Sequence, residues 1–432
     1  MARPATPKLL AALALALGLS STSPGQAPQA VGDVCADVRG SYESFEPRIA
    51  ALKADLAALV ARHASEKELD AKRGALADLI YRQDCVRPEI QADPVRGPSV
   101  QRRWVTLTTY YFTNRSQGPS EGGLASYGVE RNAGSPGVGR ISISIPTARQ
   151  PGELNLPLNL WLFELPADPA KHFIIRSVTP LAGNAALTEI RNRLAQTPRK
   201  SVLLFVHGYN VSFNDAALRT AQLSHDLNFP GLPMFFSWPS AARTAAYPHD
   251  EEMAQLSLDA FDKVLDEIGG LGASEIYIVA HSMGNRVVTT TLARRVANHK
   301  QIPANLKGLL LAAPDINADI FREQIAPGLA VLAGTSRTIY ASNNDVALRA
   351  SSALHAFPRV GLTRPRVQVF KGFETIDATT AAPVRRGYGH SYVTDSPRVI
   401  RDMQALIFLK RGAQARGLTH NGAPPSAYWV LK

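Results

Sequence analysis

The sequence predicts an α/β protein with a mostly parallel sheet covered by helices on both faces. Two observations carry the prediction. From about residue 184 to residue 410, short apolar runs alternate with segments of helical periodicity. Such runs suit strands buried on both sides, which parallel sheets require. Second, the apolar run Ile276 to Val279 ends in Ala280-His281-Ser282-Met283-Gly284 and passes into a helical pattern. A strand, a sharp turn and a helix with serine at the apex hold that serine in a strained backbone and expose its oxygen. The residues two before and two after it must be small because strand and helix nearly touch. Ala280 and Gly284 meet this need, with Ala in place of the first Gly of G-x-S-x-G.

The elements follow in order. Residues 101–115 alternate β-formers with polar residues, and Ile141, Ile143 and Ile145 alternate with serines as a half-buried strand does. Segments 156–163 and 172–177 read as further strands, and the Gly- and Ser-rich stretch Ser116 to Gly139 as a long surface loop. Helix 185–197 then precedes strand 202–206, helix 214–227 precedes strand 233–237, and helix 252–268 precedes strand 275–280. Helix 284–298 precedes strand 307–312; strands 336–341 and 366–370 follow, and helix 397–410 closes the set. No internal repeat is present.

The chain has 432 residues, 45% hydrophobic and 19% charged, an ordinary globular composition. Its formal charge of +11 is scattered, with no dense basic run or nucleic-acid motif. Charge alone therefore gives no ground for nucleic-acid binding; it suits a basic surface at the bacterial envelope, with peripheral attraction to anionic lipid or polymer. Residues 1–30 read as a signal peptide: Arg3 and Lys8, then apolar Leu9 to Leu19, then small residues. The apolar core is too short to span a bilayer, and no later segment is long enough. These features predict a periplasmic or secreted protein.

The two cysteines, Cys35 and Cys85, flank two runs of helical spacing, Ile49 to Val60 and Leu69 to Ile80. A helical hairpin brings its ends together, and an oxidising compartment favours a bridge between them, worth at most ~4 kcal/mol. Pro88, Pro94 and Pro98 mark a linker. The expected organisation is thus a signal segment (1–30), a hairpin with linker (31–98) and an α/β domain (99–432).

The chemistry gathers around Ser282. Strand 202–206 ends in His207-Gly208-Tyr209-Asn210. A turn there leaves a backbone N–H facing the site, and with the N–H of Met283 it makes an oxyanion hole. Tyr209 is the expected second donor, with Asn210 as the alternative. His207 is expected to support this loop by hydrogen bonding. The base is expected late, at His390 in Gly387-Tyr388-Gly389-His390-Ser391-Tyr392; His355 and His420 read as loop residues. Three aspartates compete as the acid that orients it: Asp345, Asp315 and Asp377. Asp345 is preferred because its strand end should face the histidine loop. Phe213, Trp238 and Tyr247 follow strand ends that ring the pocket and either line it or pack beneath the loops. Segment 239–252 reads as a small lid.

The motifs Phe205-Val206-His207-Gly208-Tyr209-Asn210, Phe236-Ser237-Trp238-Pro239-Ser240, Ala280 to Arg286, Ala312-Ala313-Pro314-Asp315, Tyr340 to Asp345 and Gly389-His390-Ser391-Tyr392 together resemble a bacterial α/β-hydrolase family of unknown function within the esterase/lipase superfamily. Phe112-Thr113-Asn114-Arg115 resembles its N-terminal strand, so the resemblance runs from about 105 to 410. It implies the α/β-hydrolase fold and a triad of Ser282, Asp345 and His390. The expected activity is that of an exported serine hydrolase acting on a small-molecule or lipid-like ester through an acyl-enzyme, with no metal or organic cofactor. A thioesterase, acyltransferase or peptidase would use the same triad. A non-catalytic envelope binding module is the reading from another class.

Overall fold

The computed structural model describes residues 103–432 apart from 158, 161–162, 165–166 and 382–388, together with isolated residues between Pro47 and Lys72. The signal segment, the linker and the Cys35–Cys85 bridge lie outside the described residues. Within the segment expected to form the hairpin, isolated residues from Pro47 to Leu59, and Glu68 and Lys72, are helical, and Lys72 Nζ reaches Asp55 Oδ2 at 2.7 Å.

In chain order the first strands are β1 (Trp104–Thr113), β2 (Arg115–Gln117), β3 (Tyr127–Arg131), β4 (Gly137–Pro146), β5 (Asn159–Leu160), β6 (Phe163–Glu164) and β7 (Ile174–Leu181). The alternating part contributes β8 (Ser201–Val206), β9 (Leu232–Ser237), β10 (Glu275–His281), β11 (Leu306–Ala312), β12 (Ser336–Ala341) and β13 (Glu374–Asp377). Two short strands, β14 (Thr419–Asn421) and β15 (Tyr428–Val430), end the chain. Eleven strands form one sheet in the order β14-β15-β13-β12-β11-β10-β8-β9-β1-β4-β7. Pairing is parallel from β15 through to β1. It is antiparallel at β14 and at the β1–β4–β7 margin.

The main helices are α1 (Gly183–Ala195), α2 (Phe213–Asp226), α3 (Tyr247–Leu256), α4 (Leu258–Gly269), α5 (Gly284–Ala297), α6 (Val346–His355) and α7 (Pro397–Leu409). Strand side chains alternate between two cores, as a period of two requires. Val202, Leu204 and Val206 of β8 join α1, α4 and α5, while Leu203 and Phe205 join α2 and α7. All six β8 residues are buried, which explains the uninterrupted apolar run. The chain passes from β8 to β9 on one side and returns to β10 on the other. In an open α/β sheet a ligand crevice forms beyond the strand ends at such a reversal.

Several elements differ from expectation. The predicted loop 116–139 holds the β2–β3 pair and the start of β4, and Tyr127 fixes it through its hydroxyl, 2.8 Å from that of Tyr111. The predicted helix 252–268 breaks at Ser257. That hydroxyl donates to Met253 O at 2.6 Å and accepts from Asn114 Nδ2 at 2.9 Å, pulling the turn toward the end of β1. The predicted strand 366–370 is irregular, and β13 forms instead at Glu374–Asp377. Phe370 of that apolar run packs on Phe321, with ring centres 4.6 Å apart. Helix α6 and strands β14 and β15 were not anticipated. Among the described residues no helix is long and apolar enough to cross a membrane.

Helix α7 is tied to the sheet by a buried polar group. Asp402 accepts from Tyr340 Oη at 2.7 Å and from Arg416 Nε at 2.8 Å, and the two charged side chains are 2% and 1% exposed. Removing Asp402 leaves Tyr340 Oη without its acceptor and leaves the buried Arg416 with only the partly exposed Glu374 carboxylate at 3.1 Å, and breaking a buried pair costs up to about 3–5 kcal/mol. Urea unfolding should show Asp402→Ala destabilised by about that amount. Asp259→Ala, which removes a 95% exposed carboxylate, should leave the midpoint almost unmoved.

Candidate active site

Ser282 lies at the end of β10 with φ +53, a left-handed conformation rare for a residue with a side chain. Surrounding bonds hold it there: its N–H donates to Ala312 O at 2.9 Å, and Asn285 Nδ2 donates to Ser282 O at 2.9 Å and to Ala312 O at 3.1 Å. Gly284 is needed because a Cβ there would overlap the carbonyl oxygen of His207 and stand 2.7 Å from that of Val206. Gly208 is needed for the same reason from the other side, since its Cβ would stand 2.6 Å from Ser282 Cβ. The turn after β8 thus lies directly against the serine.

His390 Nδ1 meets Asp345 Oδ1 at 2.9 Å and Oδ2 at 2.8 Å. Burial pulls the imidazole pKa down, but the charge and hydrogen bond of Asp345 outweigh this and hold it above its ordinary value. Asp345 is fully buried and also caps α6, with Oδ1 accepting from Leu348 N at 2.9 Å. His281 secures the main chain of the same loop: its Nε2 lies 3.1 Å from His390 O, and the two rings are 4.7 Å apart. Burial, aided by the neighbouring His390, lowers the His281 pKa to about 3, so it is neutral at pH 7 and Nε2 can donate as N–H.

Tyr209 and Met283 flank the serine from the ends of β8 and β10. Met283 stands at the start of α5, where a helix leaves N–H groups without intrahelical partners. The alternative donor, Asn210 N–H, is already engaged with Asp250 Oδ2 at 3.1 Å. Asp250 is wholly buried and also accepts from Ala241 N at 2.7 Å and Ser240 Oγ at 2.5 Å. It ties segment 239–252, which the sequence suggested as a small lid, to the loop after β8.

Arg115, 2% exposed, clamps the same loop from beneath. It donates to Val211 O at 2.8 Å, Ser240 O at 3.1 Å, Gly128 O at 2.9 Å and Ser237 Oγ at 2.8 Å. His207 stacks on Trp238 at 5.0 Å, with Nδ1 2.8 Å from Gly208 O and Nε2 3.2 Å from Ser237 Oγ. Burial and then the charge of Arg115 take its pKa to about 3, so it is a neutral support, as expected. Sequence reasoning missed Arg115 and Asp250 as organisers of the site. Arg115 entered the sequence reading only within Phe112-Thr113-Asn114-Arg115, and its polar flanks Asn114 and Ser116 give no sign of its burial.

Ser282 and His390 line one cavity with Tyr209, Tyr247, Asp315 and Leu348. Of the expected pocket residues only Tyr247 reaches it. Phe213 is core, edge-on to Tyr111 at 4.9 Å, and Trp238 is fully buried with Nε1 donating to His207 O at 2.8 Å. Both fill the space beneath the loops. Of the other aspartates, Asp315 accepts from Tyr247 Oη at 2.5 Å and Ser351 Oγ at 2.7 Å and pairs with Arg359 at 3.3 Å. Burial raises its pKa, but Arg286 and Arg359 outweigh that and keep it low. Asp377 caps a turn at Thr379 N, 2.9 Å away. His355 lies 3.0 Å from Glu251 Oε1, and His420 packs on Trp429. Among the described residues no cluster of three His, Cys, Asp or Glu side chains is placed to hold a metal ion.

A family model described as an α/β hydrolase of unknown function (DUF900) matches residues 182–410, which is 229 of the 432 residues. The match begins at α1, so β1 to β7, where the resemblance of Phe112 to Arg115 falls, lie outside it. No curated protein matches. Solved structures similar to the chain include an esterase of Pyrobaculum calidifontis, at 11% identity over 72% of this chain and 86% of the other, TM-score 0.30. Another is a brefeldin A esterase described as a bacterial homologue of human hormone-sensitive lipase, at 12% identity over 93% and 92%, TM-score 0.27. A third is carboxyl esterase 2 of the fungus Tuber melanosporum, at 12% identity over 78% and 96%, TM-score 0.29.

The hydrogen bond from His390 Nδ1 to Asp345 makes a titration prediction. By NMR, His390 should titrate above the ordinary histidine value, and Asp345→Asn should lower its pKa. The sign follows: a raised folded pKa stabilises the fold at low pH, and this contribution is lost as pH rises through that pKa.

Proposed function

Since the chain belongs to the α/β-hydrolase family of unknown function matched by residues 182–410, we propose that it is a serine hydrolase cleaving carboxylic esters. The observation that carries this reading is Ser282 at positive φ, sharing one cavity with a histidine whose Nδ1 lies on a buried carboxylate. Ser282 Oγ attacks the ester carbonyl while His390 Nε2 takes its proton. The N–H groups of Tyr209 and Met283 hold the oxyanion. Asp345 keeps the tautomer and stabilises the imidazolium, which then protonates the leaving alcohol. Water, deprotonated by His390, releases the acid and restores the serine. The choice of esters over thioesters or amides rests on how often this fold hosts ester hydrolysis.

The proposal extends to export and a periplasmic or secreted location, supported by Arg3, Lys8 and the apolar run Leu9 to Leu19, with Cys35 and Cys85 bridged there. The basic composition supports peripheral contact with the envelope.

A fluorophosphonate probe should label the purified protein and fail to label Ser282→Ala. His390→Ala should also lose labelling, and Asp345→Asn should lower kcat on an activated ester by about 10³–10⁴-fold. The kcat/KM profile should fall on the acid side, below the raised His390 pKa, because the base must be neutral to accept the proton. A folded wild-type protein that takes no label would favour the non-catalytic binding module.

A further inference from the structure

The space in front of Ser282 is small. The cavity shared by Ser282, His390, Tyr209, Tyr247, Leu348 and Leu354 measures about 30 Å³. A water-sized group needs roughly 10–15 Å³ on this measure, so about two such groups fit. A carbonyl group brought to Ser282 takes up much of that room.

The walls are fixed by the same groups that form the site. Leu348 sits in the first turn of α6, and its N–H is held by the Asp345 carboxylate that also holds His390. Helix α6 therefore cannot swing outward at this end without releasing the group that orients the base. Tyr247 is held by Asp315 at 2.5 Å and Ser351 at 2.9 Å, and Asp315 by Arg359. Leu354, near the far end of α6, is half-buried and packs on the core. The roomier clefts of the described surface, about 490, 510 and 620 Å³, have neither Ser282 nor His390 in their walls.

Building on the hydrolase reading, we propose that this protein is selective for short acyl groups, acetyl above all, with α6 and Tyr247 closing the site to longer chains. Methylenes beyond the acetyl methyl would press on Leu348, Leu354 and Tyr247, and overpacked sites reject such groups. A butyryl or octanoyl group then fails to bring its carbonyl to Ser282 Oγ.

The test compares kcat/KM for p-nitrophenyl acetate, butyrate and octanoate in the full mature protein and in Leu354→Ala. Wild type should prefer acetate to octanoate by about 100-fold or more, since one methylene alone changes discrimination by roughly 10–200-fold. Leu354→Ala should move the butyrate-to-acetate ratio upward by about 10-fold while fluorophosphonate labelling persists. Octanoate hydrolysed as well as acetate by wild type would overturn the inference. So would an unchanged ratio in folded Leu354→Ala, or a protein that labels and turns over none of the three esters. A protein that neither labels nor hydrolyses any ester would bring the inference down together with the hydrolase reading, and the labelling result tells the two failures apart.

Discussion

The site depends on how closely two pieces of backbone approach one another. The turn after β10 and the turn after β8 meet where Gly284 faces the carbonyls of Val206 and His207 and Gly208 faces Ser282. Side chains at either glycine would force the turns apart. Their contact sets the turn after β8 directly against the serine, and the positive φ of Ser282 is sustained because Asn285 and the end of β11 hold its peptide groups. Strain at one residue is thus maintained by hydrogen bonds spread over three elements.

Around this contact, buried charges do structural work that hydrophobic packing could not. Arg115 and Asp250 hold the loop after β8 from two sides, and each finds several partners, as burial demands. Asp345 joins two tasks, capping α6 and holding His390. The wall of the cavity and the orientation of the histidine therefore share one carboxylate, and a change in either reaches the other. His281 adds a second hold on the His390 loop through the main chain.

Much of the central sheet was legible in the sequence because β8, β9, β10 and β11 are buried on both faces and read as apolar runs. The misreadings have physical causes. Phe370 and its neighbours are apolar because they fill an aromatic cluster, and hydrophobicity alone cannot separate that from a strand. At the break, Ser257 meets Asn114, the residue just after β1 and 143 residues away in sequence, which no local pattern reveals. Trp238 directly follows β9 while Phe213 opens α2, and which way either aromatic side chain points depends on what packs against it.

By itself the sequence determined the α/β architecture, the serine turn and the order of the three candidate groups, because each rests on local spacing: small residues about Ser282, apolar runs at strand length, turn residues before His390. Only the tertiary structure decided which aspartate meets the histidine, that the Asn210 N–H is engaged by Asp250, and how much room lies in front of the serine. These answers depend on distances between residues far apart in the chain. Asp315 and Asp345 both follow β-strands of the same sheet. One is neutralised by Arg359 and the other is turned toward His390.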